Sequence, residues 1–146
     1  MAVSTVSTVP GTAGASRMAP GTYTAGEEMC PYRLVLEHVT SRWGVLVLME
    51  LLDRPYRFSE LRRTIGRVSE KMLTQTLQTL ERDGLVHRDA KPVIPPRVDY
   101  SLTDLGREAA EQVRALALWT ERRMDDVQRA REAYDSRKND ATATQG

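Results

Sequence analysis

Leu34, Val35, Leu36 and Val39 follow Pro31 at helical spacing and predict a short helix, with the proline placed where its missing amide proton costs little. Thr40-Ser41 offers a cap for a second helix. That helix carries Trp43, Val45, Leu46, Val47, Leu48, Leu51 and Leu52 and is too apolar to lie on a surface. Asp53-Arg54-Pro55 ends it, because a proline ring is disfavoured in a helix interior. Tyr56-Arg57-Phe58 has length only for a scrap of strand. Ser59 is the expected cap of a short helix that points Leu61 and Ile65 inward and Arg62 and Arg63 to water, and Gly66 is placed to stop it.

From Ser69 to Gly84 the pattern is sharper. Leu73, Leu77 and Leu80 recur at four and three residues, with Met72 and Thr76 assigned to the same inner side, while Lys71, Thr74, Gln75 and Gln78 take the outer surface. Ser69 is the expected cap and Gly84 the left-handed closing residue. An ordinary amphipathic helix has the same pattern, so the segments around it decide. Leu85 to Asp89 and Arg97 to Leu102 alternate as strands around Ala90-Lys-Pro-Val-Ile-Pro-Pro96, a stiff and exposed connection. Helix, short turn, polar-faced helix and hairpin in that order describe a helix-turn-helix with a wing. Thr103 then caps a single long helix to about residue 133, striped by Leu105, Ala109, Val113, Leu116, Met124 and Val127 and widened by Leu118 and Trp119. At 1.5 Å per residue it would be about 45 Å long, more than so small a domain needs for closure, which points to a partner.

Charge agrees with this arrangement. Across all 146 residues the 21 Lys and Arg nearly balance the 20 Asp and Glu. Locally they separate: Arg54, Arg57, Arg62, Arg63, Arg67 and Lys71 face only Glu60 and Glu70, and Arg82, Arg88, Lys91 and Arg97 face only Asp83 and Asp89. By contrast, residues 26–53 carry an excess of acids. The basic charge coincides with the helix pair and the hairpin, where a winged helix meets DNA. Two histidines and one cysteine, Cys30, leave no ligand set for zinc, and no apolar run is long enough to span a membrane. No phosphate-binding loop or nucleophile triad is present, so neither an enzyme nor a cofactor is expected.

The segments Cys30-Pro, Arg42-Trp43, Leu48-Met-Glu-Leu-Leu, Arg57-Phe-Ser-Glu-Leu61, Val68-Ser-Glu-Lys-Met-Leu-Thr-Gln75, Leu80-Glu-Arg-Asp-Gly-Leu-Val86 and Pro95-Pro-Arg-Val-Asp-Tyr-Ser-Leu-Thr103 resemble the signature of HxlR-type transcriptional regulators. These have an architecture related to the MarR group. The resemblance covers residues 28–120 and implies a mainly α, dimeric winged helix-turn-helix with a small β hairpin. It places the recognition helix at Ser69–Asp83, the wing at Val86–Leu102 and the dimer contacts on the first and last helices. Some relatives sense oxidants or electrophiles through a cysteine, which the resemblance carries onto Cys30. The chain departs from the family at Thr40-Ser41-Arg42, where a glycine-rich turn is common, and at the wing from His87 to Ile94.

The resulting expectations are specific. Residues 1–27 form a Gly-, Pro- and Ser-rich arm without signal-peptide character, 28–134 the DNA-binding domain and 135–146 a flexible tail. Lys71, Thr74, Gln75 and Gln78 contact bases, whereas Arg62, Arg63, Arg67, Ser69, Arg88, Lys91 and Arg97 contact the DNA backbone. Leu34, Leu116, Leu118, Trp119 and Met124 form the dimer interface. The expected function is a cytoplasmic homodimeric repressor, nucleoid-associated when bound to an inverted-repeat operator and responsive to oxidation at Cys30. A small-molecule-responsive regulator with an inert Cys30 and a protein-interaction module without DNA binding remain as alternatives.

Overall fold

The computed structural model describes residues 31–144. The expected arm, Cys30 and the last two residues lie outside the described residues. Five helices and a small sheet are arranged as α1 (Pro31–Thr40), α2 (Arg42–Asp53), β1 (Tyr56–Arg57), α3 (Phe58–Ile65), α4 (Glu70–Arg82), β2 (Val86–Lys91), β3 (Arg97–Leu102) and α5 (Asp104–Arg122), followed by a sixth helix, α6 (Met124–Ala143).

The helix ends follow local chemistry. Ser41 Oγ accepts the Gly44 amide, Ser69 Oγ that of Met72 and Thr103 Oγ1 that of Gly106, each satisfying a first-turn donor that has no partner within its helix. Gly66 and Gly84 close α3 and α4 at φ 92° and 78°, a region that glycine enters without a Cβ clash. At α3 the expected cap is corrected. The helix begins at Phe58, before Ser59, and Glu60 Oε2 reaches back to accept the Arg57 amide.

α2 is the centre of the core. Its Val47, Leu48 and Leu51 are buried together with Leu61 of α3, Leu73, Leu77 and Leu80 of α4, and Ala110 and Val113 of α5. Each buried leucine contributes roughly 1.5–3 kcal/mol relative to an exposed one. Met72 departs from the expected inner side and is exposed, since it lies one position beyond the buried leucine stripe. The sheet has the antiparallel order β1-β3-β2, so the hairpin carries a third strand, with Tyr56 opposite Tyr100 and Arg57 opposite Asp99. Tyr56 and Tyr100 close the core from this side.

The long terminal helix is two helices. They part at Arg123, and α6 continues to Ala143, well past the expected end of the ordered body at 134. No glycine or proline interrupts 124–143, and Asp126 pairs with both Arg123 and Arg129, supporting the first turns of α6. No side chain of α6 is buried.

Candidate nucleic-acid interface

α4 is held on one side and open on the other. Leu73, Leu77 and Leu80 lock it onto α2 and the sheet, and Lys71, Gln75 and Gln78 are exposed with Thr74 half-buried between them. Positions 71, 74, 75 and 78 are three and four residues apart, so they form a single stripe. Thr74 Oγ1 donates to the Glu70 carbonyl at 2.8 Å, which commits its hydroxyl proton to the helix itself. The stripe therefore presents one ammonium and two carboxamides.

The turn into α4 is braced. Val68 is buried, Arg62 Nε donates to the Val68 carbonyl at 3.5 Å, and Arg62 Nη1 lies 3.9 Å from Glu70. Arg62 thus serves the angle between α3 and α4. Arg63 and Arg67 are exposed, and among the described residues neither makes an ion pair.

In the hairpin the alternation of strands places Asp89, Lys91, Arg97, Asp99 and Arg57 on one face. Asp89 stands opposite Asp99 and Lys91 opposite Arg97, yet each acid pairs along its own strand: Arg97 Nε donates to Asp99 at 2.9 Å, and Lys91 Nζ is 3.0 Å from Asp89. The hydrogen bond from Arg97, supported by the charges of Arg97, Lys91 and Arg57, holds the Asp99 carboxyl below the usual range, and the same bond raises Arg97. Of the predicted hairpin cations, Arg88 on β2 is exposed and makes no ion pair among the described residues. His87 is exposed as well.

α4 and the hairpin tip form the two sides of a cleft of about 610 Å³, lined by Glu70 and Thr74 from α4, Val93 to Val98 from the hairpin, and Arg57 and Ser59 between them. Sequence reasoning expects the hairpin tip to lie beside the DNA backbone or minor groove but names no contact residue there beyond Lys91. The signal available there was Val93-Ile94, two apolar residues set among Pro92, Pro95 and Pro96.

The predicted dimer residues fall on two surfaces. Leu116 joins Tyr32, Val35, Leu36 and Leu105 around an apolar groove of about 930 Å³ between α1 and α5. Leu116 and Leu105 are 57% and 55% exposed there, more apolar area than a helix leaves in water without a use for it. Leu34 is half-buried on α1. Leu118 instead lines a separate hollow with Met49 and Leu52 of α2, and Leu118, Trp119 and Met124 are all exposed. Trp43 is half-buried against the core, with the Arg42 guanidinium 4.7 Å from its ring centre. Among the described residues no cluster of His, Cys, Asp and Glu could hold a metal, and no helix is long and apolar enough to cross a membrane.

Known proteins share this arrangement. The HxlR-like helix-turn-helix family profile matches residues 38–128. The HTH-type transcriptional regulator YtfH of Escherichia coli (strain K12) is 59% identical over 100 residues, covering 68% of this chain and 79% of the relative. The structure of a transcriptional regulator ytfH from Salmonella typhimurium superposes with a TM-score of 0.67 at 56% identity, covering 71% of this chain and 93% of the other. The redox regulator HypR in its oxidized form gives a TM-score of 0.58 at 36% identity, covering 63% and 95%.

Proposed function

The chain belongs to the HxlR-like helix-turn-helix family of transcriptional regulators, a DNA-binding and non-enzymatic class, and from that premise we propose that it binds an inverted-repeat operator as a homodimer and represses transcription there. The observation that carries this reading is the stripe of exposed Lys71, Gln75 and Gln78 with half-buried Thr74 between them, on a helix whose opposite side is buried. Glutamine matches the paired donor and acceptor of adenine, and lysine the acceptors of guanine. Arg63, Arg67 and Arg88 make the main backbone contacts. Ser69 lies at the positive end of α4, where a phosphate is favoured, and Arg62, Lys91 and Arg97 contribute less because acids already face them.

Two copies joined through the α1–α5 groove, with the exposed Trp119 and Met124 also taken into the interface, bring two α4 helices to successive major grooves about 34 Å apart. Residues 28–134 then act as the DNA-binding and dimerising unit, with α6 extending beyond it. Oxidation of Cys30 is the assigned control, supported by the likeness to HypR. The test is a gel-retardation series on duplexes selected from a randomised pool. Gln75→Ala with Gln78→Ala should abolish the preference for the selected duplex while residual binding to random duplex persists, and unchanged preference would refute the stripe. Diamide should alter the affinity of the wild type and leave Cys30→Ser unaffected; equal responses would leave Cys30 inert.

A further inference from the structure

The hairpin ends in an apolar point. Ile94 is fully exposed and Val93 half-exposed, whereas Val86, Val98, Tyr100 and Leu102, the apolar residues of the two strands, pack on the core. A bare isoleucine at the tip contributes nothing to the core. Pro92, Pro95 and Pro96 fix the backbone around it, so little freedom is lost when the tip docks. The tip is also poorly equipped as a phosphate clamp, because Lys91 and Arg97, the bases nearest to it, are matched by Asp89 and Asp99. Finally, it shares one cleft with Glu70 and Thr74 at the start of α4, and Arg57 lies between the two walls.

With α4 in a major groove, that cleft is where one sugar-phosphate strand would pass, and the tip would then stand at the minor groove on the strand's far side. We propose that Ile94, with Val93 beside it, seats in that minor groove and selects A·T pairs there. The guanine amino group projects into the minor groove, and no such group stands on an A·T pair. An aliphatic tip would meet that amino group, strip its water and offer no acceptor in return, leaving a donor unsatisfied. The inference rests on the DNA-binding reading above and adds a base preference that α4 does not supply.

The full chain is used to select duplexes from a randomised pool, and hydroxyl-radical cleavage then locates the minor-groove segment flanking each α4 contact. In that segment an A·T pair is replaced by G·C or by inosine·C, which has the major-groove acceptors of G·C and no minor-groove amino group. G·C should weaken binding about tenfold and inosine·C less than about twofold. Ile94→Ala, at an exposed position, should melt like the wild type and lose most of the G·C penalty. Absence of flanking minor-groove protection, equal penalties for G·C and inosine·C, or a G·C penalty unchanged by Ile94→Ala would overturn the proposal and leave operator binding intact. If no duplex is enriched, the DNA-binding reading and this inference fall together.

Discussion

His38 Nδ1 lies 2.5 Å from Asp83 Oδ2, joining α1 to the residue that ends α4. Both side chains are largely shielded, so the hydrogen bond is protected from competition by water. Asp83→Ala should cost about 1–2 kcal/mol, because it leaves the imidazole without its partner. Urea unfolding measures the loss. A change below about 0.5 kcal/mol would mean that the two helices are held together by apolar contacts alone.

A second joint lies where α5 begins. A Cβ built on Gly106 would stand 1.8 Å from the Leu85 carbonyl oxygen, and Thr103 ties the same corner by donating to the Gly84 carbonyl at 2.6 Å. Neither backbone segment can yield without breaking these bonds. Gly106→Ala should therefore destabilise by about 3 kcal/mol or more, read as a lowered urea midpoint. A wild-type midpoint would contradict the close approach.

The charge pairing of the hairpin ranks its cations. Arg88→Ala should weaken binding to every duplex alike and reduce the slope of log affinity against log salt by about one, whereas Lys91→Ala, already facing Asp89, should change the slope by less than about half of that. Salt titrations of both variants on a random duplex decide the order. The reverse ranking would show that Lys91 leaves Asp89 for the phosphate.

Asp99 titrates below the usual aspartate value near 4, held there first by the Arg97 hydrogen bond. A folded-state pKa lower than the unfolded one means that this stabilisation is fully present above about pH 4 and is lost as pH falls through the depressed value. Carboxyl-carbon NMR should find the Asp99 midpoint below that of an unpaired aspartate and raised toward it in Arg97→Gln. Asp99→Asn, by releasing Arg97, should tighten binding to random duplex. An ordinary midpoint in the wild type would contradict the pairing.

Much of this architecture was legible because the signals that specify it are local. Ser41, Ser69 and Thr103 cap helices through bonds to amides three residues away, and Leu73, Leu77 and Leu80 declare their buried face by spacing alone. What sequence reasoning missed depends on contacts distant in the chain or on geometry without a residue marker. β1 is two residues long, and its place in the sheet is fixed by pairing with Asp99 and Tyr100 more than forty positions away. The break at Arg123 carries no glycine or proline, and the apolar stripe runs on through Met124 and Val127, so periodicity reads two helices as one. At the candidate interface, the stripe on α4 followed from helical spacing. That Arg97 could pair with Asp99 or Asp89 was legible too, but the choice of Asp99, and the pairing of Lys91 with Asp89, depended on which of several neighbouring charges each one met.

The central claim is that two α4 helices of a homodimer read one operator. Footprinting the full chain on a duplex selected from a randomised pool tests it most directly. The account predicts two major-groove footprints related by two-fold symmetry, with centres about 34 Å or a multiple of that apart. A single unsymmetric footprint, or no enrichment of any duplex, would contradict it.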